Sequence, residues 1–531
     1  MERQTFDYII VGAGSAGAVV ANRLSADGRT RVLLLEAGRA SHPLSRIPIS
    51  FAKFINNPAT NWCYEAEPDE STGQRRIPVP RGRMLGGSSS INGMVFVRGQ
   101  AQDFDTWGQL GNRGWSYQDV LPFFRRMESY AGGDDDYRGR DGPLKVSDLD
   151  EAGPLYDMFF EAAKQIGIER NRDYNGPVQD GISMSQASIR NGRRMSTAHC
   201  YLEPARQRPN LHIQPRASTD QLLLDGKRCV GVRYTKDGEP HEATAAREVI
   251  VSAGAVNSPK LLELSGIGQP DLLRRHGIEV RHALPGVGEN LRDHYAPRMK
   301  WSVSRRNLTY NDRARGIALA GQVFRYALSG TGFLSLPASP MRAYVRTRDG
   351  LAGADAGISI MPFLVDPNVK LSRQPGITLV VHQLRPESTG SIHIASAAPQ
   401  APPAIRFNFL SDSLDRDVLL GAMRTARRLM TTPAMQPMGC MEIAPGTAIE
   451  TDDKMLDWVK ATAETAYHPV GTCKMGSDPM AVVDDRLRVR GLDGLRVADA
   501  SIMPTLTSGN TNAPSIMIGE KAASLVLDDS K

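Results

Sequence analysis

The chain has 531 residues, enough for two to four domain-sized cores, with 41% hydrophobic and 23% charged residues and no low-complexity tract. Its formal charge is +6 with a pI near 9.0. The basic residues are scattered, and doublets such as Arg193-Arg194 and Arg427-Arg428 are short, which argues against a nucleic-acid surface. Five cysteines without a C-x-x-C pair exclude a disulfide framework and a dithiol redox centre, and suit a reducing compartment.

The opening "MERQTFDYIIVGAG" passes almost directly into a strand, without a basic region, apolar stretch and cleavage site. No apolar run approaches the ~18 residues of a spanning helix. The expectation is a cytoplasmic protein with no integral membrane segment; peripheral membrane contact and oligomerisation are left open.

Asp7 to Val11, "DYIIV", has the short apolar run of a buried parallel strand. Gly12-Ala13-Gly14-Ser15-Ala16-Gly17 follows as G-x-G-x-x-G, then a helical pattern through Val20, Ala21 and Leu24. A second strand, "RVLLLEAG", ends in Glu36, 22 residues after Gly14. In this order the parts specify a dinucleotide site. Gly12 permits the tight turn, Gly14 lets the backbone approach a pyrophosphate, and Gly17 lets helix and strand pack closely. The helix N-terminus offers free N–H groups, and Glu36 is placed for the adenosine ribose. The fingerprint alone leaves FAD and NAD open.

Three further stretches bear on that choice. "GRMLGGSSSINGMVFVRGQAQDFD", Gly82 to Asp105, is a glycine–serine loop flanked by Leu85, Ile91 and Val95, with Asn92 offering an amide. "GAVNSPKLLELSGIG", Gly254 to Gly268, follows the strand-like "EVIVSA". "LRVADASIMPTLTSGNTNAPSIMIGEKAASLV", Leu495 to Val526, reads as strand, loop and helix, with Pro514 at the first helical position. Between these lie the strand-like "GISIMPFLV", "ITLVVHQL" and "GSIHIASA". Asp415 to Met430 has the core-face spacing of a helix.

Together with "GVGENLRDH" (Gly286 to His294) and "YHPVGTCKMG", these stretches resemble the glucose–methanol–choline (GMC) oxidoreductases along the whole chain. The resemblance implies an α/β fold: a discontinuous Rossmann-like FAD-binding domain with a mixed-sheet substrate-binding cap. The FAD-binding domain is assigned to 1–152, 208–297 and 456–531, and the cap to 153–207 and 298–455.

Carried over residue by residue, Gly12, Gly14 and Gly17, with Ser15 and Ala16, would line the FAD pyrophosphate. Glu36 and Ala37 would serve the adenosine. Gly86, Gly87, Ser90, Asn92, Gly93, Met94 and Val95 would lie against the flavin. Ala217 would meet adenine, Asp499 and Ala500 would approach the pyrophosphate and ribityl chain, and Ala253 is a further cofactor-binding residue. Asn510, Asn512 and Ala513 complete the set. Some members attach FAD through a histidine where this chain has Ile91, so the flavin is expected to be non-covalent.

Oxidising an alcohol needs loss of the hydroxyl proton and transfer of a hydride to flavin N5. An imidazole of ordinary pKa ~6.5 suits the first event. The resemblance makes His468 this base and Asn512 its polar partner, with Asn510 ranked second. A helix starting near Pro514 would aim its positive end at the flavin. His294, His382 and His393 are expected to be structural, Cys473 a packing residue, and no metal site is foreseen. "GFLSLPASPMRAYVRT", Gly332 to Thr347, lacks a carboxylate but holds Arg342 and Arg346. Choline is therefore disfavoured, and a neutral primary alcohol, polyol or sugar alcohol is expected. The acceptor is expected to be quinone-like, with oxygen as alternative. A hydroxynitrile lyase on the same fold and an NAD-dependent dehydrogenase are the rival readings.

Overall fold

The computed structural model describes residues 4–149, 152–366 and 370–530. Thirteen strands form its two large sheets. In chain order these are β1 (Gln4–Val11), β2 (Val32–Glu36), β3 (Gly181–Met184), β4 (Leu211–Pro215), β5 (Ala217–Asp225), β6 (Arg228–Lys236) and β7 (Glu239–Val251). They continue with β8 (Arg298–Val303), β9 (Met341–Val345), β10 (Ala356–Met361), β11 (Gly376–Gln383), β12 (Cys440–Ala444) and β13 (Leu495–Val497).

The first sheet runs β4-β2-β1-β7-β6-β5, with β13 alongside β7. Its core strands β4, β2, β1, β7 and β13 are parallel. That explains their near-continuous apolar sequences: both faces are covered, and every residue of β2 is buried. β7 is long because its first half pairs antiparallel with β6 and its last residues pair with β1 and β13. The second sheet, β12-β8-β11-β10-β9-β3, is antiparallel at every ladder.

Helix α1 (Gly17–Leu24) leaves the fingerprint turn directly. α2 (Gly254–Leu264) follows β7 in the same way, and α3 (Ser413–Met430) packs on the second sheet against β10 and β11. α4 (Asn512–Asp529) lies against α1. Its fully buried Glu520 meets Arg23 at 2.6 Å and Arg126 at 2.8 Å, which ties α4 to α1 below the fingerprint. No helix among the described residues is long and apolar enough to cross a membrane.

Each sheet has its own apolar core. Several stretches pack with the other core than the segment boundaries drawn from sequence suggest. Residues 198–205, grouped with the cap, bury Cys200, Tyr201, Leu202 and Ala205 in the core of the first sheet. Val459 and Ala463 belong to the second core, as do Tyr64, Ala66, Ile77 and Val79. The chain changes layer there without a composition shift, so hydrophobic pattern alone does not reveal it.

Candidate active site

A continuous cavity of about 700 Å³ runs between the two sheets, from Glu36 to His468. At its nucleotide end the fingerprint glycines do separate tasks. Gly12 has φ +98°, and a Cβ there would lie 2.4 Å from the Ser252 carbonyl oxygen. A Cβ on Gly17 would lie 1.9 Å from the Gly12 carbonyl oxygen, so the helix packs where only glycine fits. Gly14 lines the cavity and a Cβ there would meet no protein atom within 4 Å, leaving an open cradle at the start of α1.

Glu36 accepts hydrogen bonds from Ala13 N at 3.1 Å and Gly38 N at 2.8 Å, and burial raises its carboxyl to about 7. Its remaining acceptor capacity faces the cavity. Thr219, another lining residue, has a buried hydroxyl without a hydrogen-bond partner among the described residues. A cradle for phosphates, a carboxylate for ribose hydroxyls and an orphaned hydroxyl fit the adenosine half of FAD.

Most residues expected at the cofactor line this cavity: Gly12, Gly14, Ser15, Ala16, Glu36 and Ala37, then Gly87, Asn92, Gly93, Met94 and Val95. Ala217, Ala253, Asp499, Ala500, Asn510 and Asn512 line it as well. Gly17, Gly86, Ser90 and Ala513 do not. Gly17 serves helix packing. Ser90 donates to the Leu85 carbonyl at 2.7 Å and shapes the glycine–serine loop with Gly86. Ala513 is buried in the core. The Asp499 carboxylate is taken up by Gly254 N, Ser258 Oγ and Ser501 N, so it braces the start of α2. Ile91 is a buried apolar residue in the wall.

At the far end stands His468, positioned by its own backbone. Tyr467, just before it, has φ +70°, an outlier for a bulky residue. It is held there by its N–H on Thr465 Oγ1 at 2.7 Å and by Arg81 on its carbonyl at 2.6 Å. Buried Asp293 accepts from the backbone N–H of both His468 (2.9 Å) and His294 (2.7 Å) and from the Thr465 hydroxyl. One carboxyl thus fixes both imidazoles.

The hydrogen bonds around His468 determine its tautomer. His294 Nε2 lies 3.0 Å from the Leu384 carbonyl, which can only accept, so Nε2 carries the proton. Burial holds His294 down to about 4, so it is neutral and its Nδ1 is an acceptor. That Nδ1 lies 3.0 Å from His468 Nδ1, which must therefore donate. His468 Nε2 is left with its lone pair. It accepts from Asn510 Nδ2 at 2.9 Å, while Asn510 Oδ1 accepts from Arg342 Nη1 at 3.3 Å. The chain runs Leu384, His294, His468, Asn510, Arg342 with every donor matched to an acceptor. Burial, then the neighbouring His294, His382, Arg81 and Arg342, hold His468 well below the usual imidazole range.

Two expectations from sequence are corrected here. Asn510, not Asn512, lies against His468. Asn512 is the first residue of α4 and its Oδ1 accepts from Ser15 Oγ at 2.8 Å, which turns it toward the fingerprint. The preceding cap position is Thr511, with no side-chain cap bond, and Pro514 lies at the third helical residue. Nor are His294 and His382 separate structural residues. His294 bonds His468, and His382 packs on His294 with ring centroids 4.9 Å apart. His393 is held by Glu263 and Glu289 at 2.6 and 3.1 Å, outside the cavity lining.

A family model described as GMC oxidoreductase matches residues 6–296, and a second with the same description matches 386–519. The chain belongs to the GMC oxidoreductase family. It is 41% identical over 525 residues, 98% of this chain and 95% of the other, to an oxygen-dependent choline dehydrogenase of Brucella ovis. The solved pyridoxine 4-oxidase of Mesorbium loti is 30% identical, with 98% of each chain covered and a TM-score of 0.89. The formate oxidase of Aspergillus oryzae is 26% identical, covering 100% of this chain and 99% of the other, with a TM-score of 0.92. This GMC protein is an FAD oxidoreductase.

Proposed function

We propose that the protein oxidises its alcohol with His468 as the general base and Asn510 as the hydroxyl-positioning residue. The observation that carries this reading is the unprotonated His468 Nε2 at the cavity wall, its tautomer set by His294. Bound FAD supplies the hydride acceptor. A substrate hydroxyl inserted between His468 and Asn510 gives its proton to Nε2, while its oxygen accepts from Asn510 Nδ2. The resulting imidazolium keeps its Nδ1–H on His294. Arg342 holds the amide through Oδ1, so Nδ2 faces the developing alkoxide.

FAD is held without a covalent bond: Ile91 has no nucleophile. The glycine cradle, Glu36 and the floor around Ala217 support the adenosine half, and the loop Gly87 to Val95 supports the flavin half. For the acceptor, the names of the relatives favour oxygen. A quinone-like carrier is the second reading, from the sequence. An anaerobic alcohol panel scored by flavin bleaching, then reoxidised with oxygen or a quinone, tests both. Bleaching by an alcohol supports oxidation; a flavin that stays yellow with every alcohol while a cyanohydrin is cleaved would establish a lyase instead.

A further inference from the structure

The second sheet faces the cavity with cross-strand rows whose register is set by its antiparallel ladders. In one row Arg298 (β8) stands opposite Val380 (β11), Val380 opposite Ser359 (β10), and Ser359 opposite Arg342 (β9). Directly opposed residues share a face, and all four line the cavity. On one side the next row holds Lys300, Thr378 and Met361; on the other is His382, in the histidine cluster. The wall beside the reacting end therefore carries Arg298, Lys300 and Arg342, with Arg81 nearby, and the carboxylate of Glu464; the other two carboxylates among the described lining residues, Glu36 and Asp499, belong to the nucleotide end. Glu464 is engaged by Arg298 at 2.9 Å.

Arg342 is the informative member. It is 5% exposed, and its partners are neutral: Tyr344 OH at 2.6 Å, Asn510 Oδ1 at 3.3 Å and Ser185 Oγ at 3.4 Å. Among the described residues its Nη2 makes no hydrogen bond, and neither does the Ser359 hydroxyl. Three of the other large buried guanidiniums have carboxylate partners. Arg98 and Arg138 pair with Glu128, and Arg496 pairs with Glu248 and Asp529. Arg194 also has only neutral partners, the Ser45, Ser89 and Asn92 oxygens, but it is not itself among the residues that line the cavity, whereas Arg342 is. A buried cation without a counter-charge is costly unless the site is completed by an anion.

We infer that the alcohol carries an anionic group, a carboxylate or a phosphate, which Arg342 and Ser359 hold while its hydroxyl lies at His468 and Asn510. This rests on the reading of His468 as base and replaces the neutral alcohol expected from sequence. Arg342 touches Asn510, which touches His468, so anion and hydroxyl are close and the substrate is a short hydroxy acid or its phosphate counterpart. Lys300, one row further, adds charge for a longer chain. The same wall repels a quaternary ammonium.

The test uses the FAD-loaded enzyme and unreactive probes, read as a shift in the flavin absorbance spectrum. Acetate, propionate, benzoate and inorganic phosphate are titrated against acetamide, propionamide and benzamide. The best anion is expected to bind about 30-fold or more tightly than the best amide, as for a charged hydrogen-bonded pair. Comparison of phosphate with the carboxylates identifies the group. Arg342→Met is expected to bring the anion-to-amide ratio near one, and Arg342→Lys to keep most of it. A role for Arg342 confined to orienting Asn510 would leave that ratio unchanged in Arg342→Met. Equal binding of amides and anions by the wild type, an unchanged ratio in Arg342→Met, or no binding by any anion would overturn the inference. Should neutral alcohols bleach the flavin as fast as hydroxy acids, this inference falls and the base survives; if no alcohol bleaches it, the base reading falls by itself.

Discussion

His294 and His468 are 174 residues apart in sequence and meet Nδ1 to Nδ1 at 3.0 Å. Because the Leu384 carbonyl takes the Nε2 proton of His294, this contact puts the His468 proton on Nδ1 and leaves Nε2 basic. Removing it frees the tautomer. His294→Ala is expected to lower the limiting rate of flavin reduction by ~10²-fold with little change in KM, since a wrong tautomer elsewhere costs up to ~10⁴. His294→Asn, able to accept a bond at a similar place, is expected to recover part of it. A wild-type rate in His294→Ala, measured by stopped-flow absorbance, would remove the positioning role.

The two asparagines give a second contrast. Asn510→Ala removes the donor beside His468 and is expected to slow flavin reduction by ~10²-fold, the usual effect of losing one donor to a developing oxyanion. Asn512→Ala breaks the bond to Ser15 and is expected to weaken FAD retention while the rate of the loaded enzyme stays within a few-fold. The reverse pattern would return the role to Asn512.

The pH dependence has a definite sign. A base works in its neutral form, so activity is full above the pKa and is lost as pH falls through it. Burial holds His468 well below its usual value, ~6.5. The rate of flavin reduction is therefore expected to be flat from pH 8 down past 6.5 and to fall only in more acidic buffer. An acid limb centred at or above pH 7 would show that another group controls the step.

Ile91 sets a fourth expectation. Acid precipitation should release all flavin colour into the supernatant. Colour retained by the pellet would mean a covalent link at another side chain.

The nucleotide end was legible in sequence because its parts are local. Strand, glycine turn, helix and Glu36 lie within one stretch; Gly12 and Gly17 answer steric demands that the structure displays, and Gly14 leaves open space in the cavity. The reacting end is assembled from β11, the segment before β8, the Tyr467–His468 turn and the loop before α4. Spacing in sequence says nothing about such a meeting, so His294 and His382 read as ordinary structural histidines. Asn510 and Asn512 are two residues apart and share a chemistry. The one that faces His468 is decided by where α4 begins, a point known from sequence only within a few residues. Arg342 was visible as a cation in a segment without a carboxylate, but its missing counter-charge is a property of packing, not of order.

The most direct test is anaerobic stopped-flow mixing of an alcohol substrate with wild type and with His468→Ala, both loaded with FAD. The wild-type flavin is expected to bleach in a single turnover, and the variant to bind FAD equally while bleaching ~10²-fold more slowly or less. A variant that bleaches at the wild-type rate would contradict His468 as the base.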